Sequence, residues 1–198
     1  IWLSLKAKKA QIFGNGASAV SKATILNKAG ADVVICAPYV SNDIALLIAD
    51  GHASYRNCDY SNNTVFDSEI VFIATENAEY NSFLSNKAKK LGLLVNVVDC
   101  PSMSNFIMPA IIDRGSVVIG ISTGGKAPVL AARIRAKIES LIPHQFGNLA
   151  DFIDSFRLSV KKRIPSISSR NHFWKNVIDG NIGKAILRGD FIFAKNAM

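Results

Sequence analysis

Short apolar runs separated by polar stretches of helical spacing set the rhythm of the first hundred residues. Ala10–Phe13, Ala31–Ala37, Glu69–Ala74 and Leu93–Val98 each read as a strand buried on both faces, as central strands of a parallel sheet are. His52–Tyr55 reads as a further strand. Between them, Ser18–Ala29 repeats Ala19, Ala23, Leu26 and Ala29 on one helical face and stops at Gly30. Ile44–Asp50 reads as a short helix, and a third starts after Asn77 or Asn81 and closes at Gly92. Asp59–Phe66 reads as a polar loop leading into a short helical turn. Strands alternating with helices predict an α/β fold, a Rossmann-like doubly wound parallel sheet.

After Pro109 the rhythm changes. Ile111–Arg114 and Val117–Ile121 flank Asp113-Arg114-Gly115-Ser116, a connection too short for a crossover, so they pair antiparallel. Pro128 opens a helix with Leu130, Ile134, Ile138 and Leu141 on one side, and Pro143 ends it. Such a unit buries little alone, which predicts packing against a second copy. The remainder carries two helical stripes, Phe146/Leu149/Ile153/Phe156/Val160 and Phe173/Trp174/Val177/Ile182/Ile186/Leu187, both assigned to core packing. The division is thus a nucleotide-binding domain over 1–108, a dimerisation segment over 109–143 and an α-helical C-terminal domain over 144–198.

Composition narrows the function classes. The 198 residues are 49% hydrophobic, enough for a folded core. Charged or amide residues interrupt every apolar run before the about 18 residues of a membrane span. No secretory leader is visible, so the cytoplasm is the expected compartment; the chain begins at Ile1 and not Met, so a few preceding residues are expected in the full protein. The three cysteines, Cys36, Cys58 and Cys100, form neither a disulfide framework nor a zinc pattern, and the three histidines are unpaired. The net charge of +8 suits solubility or a polyanionic ligand. No nucleic-acid motif accompanies it, so a small anionic ligand ranks ahead of nucleic acid.

Gly14-Asn15-Gly16-Ala17-Ser18-Ala19 follows the first strand and opens the first helix. In a G-x-G-x-x-A pattern Gly14 permits the tight turn and Gly16 the approach of a pyrophosphate. Ala19 keeps helix and sheet close, and the helix N-terminus, at Ala17 and Ser18, supplies N–H donors. The second strand ends in Ala37-Pro38-Tyr39, with no acid for ribose hydroxyls and no Arg for a 2′-phosphate, so NAD is only a preference over NADP. Asp43 belongs to the next helix. Leu93–Val98 stops at Asp99, followed by Pro101, which places a carboxylate at the crevice where open α/β sheets bind ligands. Asp99 is the candidate catalytic group, with a turn cap as its alternative role.

The motifs Gly14-Asn15-Gly16, Asn96-Val97-Val98-Asp99, Phe106-Ile107-Met108-Pro109 and Ile121-Ser122-Thr123-Gly124-Gly125-Lys126-Ala127-Pro128 occur in a distinctive order and spacing. Together with Phe173-Trp174 they resemble the precorrin-2 dehydrogenase/sirohydrochlorin ferrochelatase module of siroheme synthase, across nearly the whole chain. The methyltransferase domain fused to some members has no counterpart here, which implies a stand-alone form. The resemblance implies a homodimer that oxidises precorrin-2 with NAD and, in bifunctional members, inserts Fe2+ as substrate metal. The family's aspartate falls on Asp99, a base for both steps and a transient Fe2+ ligand. Its presence leans toward both activities, because some dehydrogenase-only relatives lack it.

The cofactor set is Gly14, Asn15, Gly16, Ala17, Ser18, Pro38, Tyr39, Thr75 and Val98; no resident metal site is expected. Many members carry three glycines in the first turn, and Asn15, which tolerates positive φ, stands in for one. For an anionic tetrapyrrole, Thr123, Lys126 and Arg114 are the candidate contacts, with Arg133 and Arg135 as further cations. Thr123 has a second role open to it, capping the helix that follows. The alternatives are the dehydrogenase step alone and a nucleotide-sensing Rossmann module without chemistry.

Overall fold

The computed structural model describes residues 2–61 and 64–198. Two compact units follow one another along the chain, Ile1–Met108 and Pro109–Met198.

In the first unit, the apolar runs become β1 (Lys9–Phe13), β2 (Asp32–Ala37), β3 (Ser54–Asn57), β4 (Ile70–Ile73) and β5 (Leu94–Val97). They form one sheet in the order β3-β2-β1-β4-β5, and every ladder is parallel. The order reverses at β1, so the crevice between the ends of β1 and β4 is the topological switch point. Alternation along β1 divides the core. Ala10 and Ile12 pack with Ala19, Ala23 and Leu26 of α1 (Ala17–Lys28) and Ile44 of α2 (Asn42–Ala49). Phe13 packs on the opposite face with Leu84 and Ala88 of α3 (Ala78–Lys90). Asn77, not Asn81, caps α3, accepting from the N–H groups of Glu79 and Tyr80 at 2.9 and 3.1 Å.

In the connection from β3 to β4, the helical turn read from the sequence falls partly on residues 62 and 63, which lie outside the described set; across them Thr64 N donates to Ser61 O at 3.0 Å. The rest of the connection is anchored by Gln11, fully buried in the middle of β1. Its amide nitrogen donates to Val65 O at 3.1 Å, and its oxygen accepts from Asp67 N at 3.0 Å and Ser68 Oγ at 2.9 Å. A buried amide must be satisfied, and the loop that crosses the sheet satisfies it. Tyr60 and Phe66 from this loop close on Phe13 with ring centroids 6.3 and 5.3 Å away.

β5 is an edge strand, and the chain that returns beside it covers that edge. Asn105 accepts from Val95 N through Oδ1 at 2.6 Å and donates from Nδ2 to Leu93 O at 2.8 Å, while its own N–H bonds Val95 O at 2.9 Å. One asparagine thus supplies much of what a sixth strand would supply.

In the second unit, β6 (Ala110–Arg114) and β7 (Val117–Ile121) form an antiparallel hairpin. α4 (Pro128–Glu139) ends before Pro143, so the proline is not what stops it. Of α4 only Ala131 is buried, and Val129, Leu130, Ile134 and Leu141 stay exposed. The helices α5 (Gln145–Arg163), α6 (Ile167–Asp179), α7 (Asn181–Leu187) and α8 (Phe191–Asn196) complete the chain. Leu149, Ala185, Ile186 and Ala194 are their core. Segments 109–143 and 144–198 cluster together because α5 lies directly on the hairpin. A Cβ on Gly147 would fall 2.9 Å from the carbonyl carbon of Arg114.

One ion pair ties strand β3 to the β4 connection. Arg56 holds Asp67 bidentately at 3.2 and 2.8 Å, which keeps the Asp67 carboxyl below its usual range. A lowered folded pKa means the stabilisation is present above the unfolded value of about 3.9 and disappears as pH falls through the folded value. Because a third of the Asp67 side chain faces solvent, Asp67→Asn is expected to cost under about 1 kcal/mol at neutral pH. Denaturant unfolding at neutral pH and near pH 2 should show the gap between variant and parent closing at the acid end.

Candidate functional site

All four strand ends that carry candidate residues lie on one edge of the sheet. Phe13 stands opposite Cys36 and Ile73, and Ile73 opposite Val97. Asn15, Pro38, Thr75 and Asp99 each come two residues beyond that row, at the C-terminal edge. Adjacent strands are about 4.8 Å apart, so β1 and β5, with β4 between them, are separated by roughly 10 Å.

At the end of β1 the backbone threads between its neighbours. Gly14 N donates to Cys36 O at 3.1 Å, and Ala74 N donates to Phe13 O at 2.7 Å. Gly14 adopts φ +134°, and a Cβ there would lie 2.7 Å from the carbonyl carbon of Ala74 and closer to its oxygen. Glycine is required here twice over. Gly16 is different: a Cβ there would meet nothing within 4 Å. Gly16, Ala17 and Ser18 are exposed, and Ala19 is buried against the sheet. The carbonyl of Gly16 accepts from Ala19 N and Val20 N. The N–H groups of Ala17 and Ser18 meet no acceptor among the described residues, and no acid occupies the first turn of α1. That is a fit for a phosphate: open backbone, free donors and the positive end of the helix. Asn15 keeps a negative φ, so the tolerance of asparagine for the left-handed region is not what this turn uses.

The other cofactor candidates are placed less evenly. Pro38 and Tyr39 are exposed beyond β2, and Asp43 is in the first turn of α2, so no acid stands at that strand end. Thr75 is half-buried; its hydroxyl donates to Asn81 Oδ1 at 2.6 Å, and Asn81 Nδ2 returns a bond to Thr75 O at 3.0 Å. Val98 continues the sheet through its N–H to Ile73 O at 2.9 Å.

Asp99 follows Val98 in a turn closed by Cys100 N to Val97 O at 3.1 Å. It is exposed and left-handed, with φ +57°. Asp adopts this conformation more readily than most residues, but at a cost. Its carboxylate accepts no hydrogen bond among the described residues, so it caps no turn N–H there. Beside it the Cys100 thiol is drawn below its usual range by the Ser102 hydroxyl 3.5 Å away. Cys36 is the opposite case, its pKa pushed up to about 11 by burial and then by neighbouring Cys58.

In the second unit, Gly124 and Gly125 both have positive φ, and the Thr123 hydroxyl accepts from Ala127 N at 3.1 Å. Thr123 thereby caps the approach to α4. Lys126 is exposed. Arg114 requires a correction as a substrate contact. Its side chain is buried, with Nε donating to Ile142 O at 2.8 Å and Nη2 to Glu139 O at 3.3 Å. Nη1 reaches Asp113 O at 3.0 Å and Glu139 Oε1 at 3.4 Å. The guanidinium is committed to the carbonyl end of α4, where a cation is favoured. Arg135 pairs with Glu139 and Arg133 is exposed. Among the described residues no group of three His, Cys, Asp or Glu is gathered to hold a metal ion, and no helix is long and apolar enough to cross a membrane.

Sequence reasoning missed Gln11 and Asn105. The signal for Gln11 was a lone amide within an otherwise apolar strand. For Asn105 it was Ser104-Asn105 just after the proline turn that ends β5.

The first unit is an NAD(P)-binding Rossmann domain; a family model described as putative NAD(P)-binding matches residues 1–110. Two further models, the sirohaem biosynthesis protein central region and the sirohaem synthase dimerisation region, match 114–141 and 145–197. The chain belongs to the family of siroheme synthase N-terminal modules. Siroheme synthase of Psychrobacter cryohalolentis is 38% identical over 190 residues, covering 96% of this chain and 36% of that protein. Siroheme synthase of Chromobacterium violaceum is 37% identical over 198 residues, covering 100% of this chain and 42% of that protein. The chain therefore spans less than half the length of these relatives. A solved structure described as SirC, precorrin-2 dehydrogenase, has the same fold, with a TM-score of 0.75 at 24% identity over 99% of this chain and 98% of that one.

Two substitutions separate the glycines. Gly14→Ala is expected to cost about 2 kcal/mol or more of unfolding free energy, from the clash and the positive φ. Gly16→Ala should change stability by about 0.5 kcal/mol or less while weakening NAD binding at least about tenfold by filling the phosphate approach; denaturant unfolding and calorimetric titration read the two effects. Asp99→Asn should leave the melting temperature unchanged or higher, because Asn suits the left-handed region at least as well. A drop in melting temperature would show that the carboxylate has a folding role.

Proposed function

We propose that this chain oxidises precorrin-2 to sirohydrochlorin with NAD+ and then inserts Fe2+, the substrate metal, to give siroheme. The observation that carries the reading is the carboxylate of Asp99, unbonded among the described residues, on the same sheet edge as the turn that fits a phosphate. The name of the solved neighbour supports the first step, and the names of the curated relatives support the complete conversion.

The oxidation removes a hydride and a proton from the macrocycle. Bound NAD+ supplies the hydride acceptor. Gly14–Ser18 hold its phosphates, with Pro38 and Tyr39 beside the adenosine and Thr75 and Val98 along the crevice. Asp99 takes the proton; an exposed carboxylate with no competing donor among the described residues is available as a base. Chelation releases two pyrrole N–H protons as Fe2+ enters, and the same carboxylate accepts one of them or briefly holds the metal. Lys126 is the cation proposed for a substrate carboxylate, aided by the positive net charge; Thr123 is a weaker contact because its hydroxyl already accepts Ala127 N–H.

Two copies pair as a homodimer in this reading. The exposed side chains of Val118, Val129, Leu130, Ile134 and Leu141 are the kind of surface a second copy covers. The model whose description carries dimerisation falls on 145–197, in the helical part of the same unit.

The test is spectral. Protein with precorrin-2 and NAD+ should form NADH and the sirohydrochlorin spectrum, and added Fe2+ should convert that to siroheme. Asp99→Asn should slow both steps by about a hundredfold or more, the range of a positioned acid–base group. Formation of NADH without metal insertion would reduce the function to dehydrogenation. No NADH and no spectral change would favour a nucleotide sensor.

A further inference from the structure

We infer that Ser104 is a positioning residue for Asp99, acting as the clasp of the loop that presents the carboxylate. The inference rests on the reading of Asp99 as the acid–base group. The loop from Val97 to Ser104 leaves the end of β5, turns through Asp99 and a single 3-10 turn at Pro101–Met103, and comes back to β5. At the point of return, the Ser104 hydroxyl bonds both ends of the turn that contains Asp99. It accepts from Val97 N at 2.9 Å and donates to Cys100 O at 3.0 Å. Val97 precedes the turn and Cys100 closes it, so one hydroxyl fixes the separation of its two arms.

Asp99 has little else to hold it. Its side chain bonds nothing among the described residues, it is exposed, and its backbone is left-handed. The direction of the carboxylate is therefore set by the backbone of this turn alone. A left-handed non-glycine residue persists only where its surroundings over-determine it. Here those surroundings are the Cys100 N–H to Val97 O bond, the Met103 N–H to Cys100 O bond at 3.2 Å and the Ser104 bridge. Without the hydroxyl, Val97 N–H loses its partner and Cys100 C=O keeps only Met103 N–H, so the turn can relax toward a right-handed Asp99 that points the carboxylate elsewhere. The anchor of the loop is not affected, because Asn105 holds β5 independently through Val95 and Leu93.

A misplacement of an ångström can cost a hundredfold in rate, so Ser104→Ala should lower kcat for precorrin-2 oxidation by about tenfold to a hundredfold. NAD+ affinity, which belongs to the turn after β1, should stay within about twofold of the parent. Ser104→Thr, which restores the hydroxyl, should bring kcat back to within about threefold. In an Asp99→Asn background Ser104→Ala should cause no further loss, because the group it positions is already gone. If Ser104→Ala fails to fold, Ser104→Cys, with a longer and weaker-bonding side chain, replaces it and should show a partial loss of kcat.

Parental kcat in Ser104→Ala or its replacement overturns the inference. So does a Ser104→Ala loss of the same size with and without the Asp99 carboxylate, or a failure of Ser104→Thr to restore the rate. If instead Asp99→Asn alone turns over at the parental rate, the reading of Asp99 fails, and that result is separate from any effect at Ser104.

Discussion

The arrangement depends on how little room there is where β1 ends. β1 is the middle strand, flanked by β2 and β4; its last residue, Phe13, accepts from Ala74 N on the β4 side, and Gly14, the next residue, donates to Cys36 O on the β2 side. The chain leaves by the gap at Ala74, where no side chain fits. Because the turn is held this close, α1 starts immediately, with its first N–H groups open at the sheet edge. A looser exit would satisfy Ala17 and Ser18 through local turns and remove the anion site. The open donors that fit a phosphate are thus a consequence of strand packing, and Gly14 contributes to them only by serving the sheet.

This explains what was legible in the sequence. β4, and β2 after its exposed Asp32, are short apolar runs bounded by turn residues, so a parallel sheet was readable from their pattern alone. The G-x-G-x-x-A stretch was readable because its two glycines answer local demands, a crowded backbone at one and open space at the other. The ends of elements shifted by one or two residues, where hydrogen bonding and not hydrophobic pattern decides. β3 moved furthest in character: Ser54–Asn57 is polar and half-exposed, and nothing but its ladder to β2 makes it a strand.

What stayed illegible depends on contacts distant in sequence. Gln11 is 54 residues from Val65, and no window around either one reveals that the amide will anchor the loop before β4. Arg114 is 28 residues from Ile142, and as a cation beside a hairpin turn it reads as a surface anchor. Its burial follows from α4 ending over it. A guanidinium offers several donors in a fixed fork, and the free carbonyls of a helix end match that supply. Arg114 caps a helix, and the charge that suggested an anionic ligand is used inside the protein.

The same reasoning gives Asp99 its weight. Three polar side chains that look functional from the sequence prove to be engaged: Thr75 with Asn81, Thr123 with Ala127 and Arg114 with α4. Each lowers the energy of the fold by its bonds. Asp99 reverses the pattern. It occupies a backbone conformation that costs energy, beyond the end of a buried strand, and its carboxylate gains no hydrogen bond among the described residues in return. Glycine or asparagine would hold that turn at least as well. A residue that contributes so little to folding, in a turn bonded through Ser104 and Cys100, is what the proposed acid–base role at the crevice accounts for.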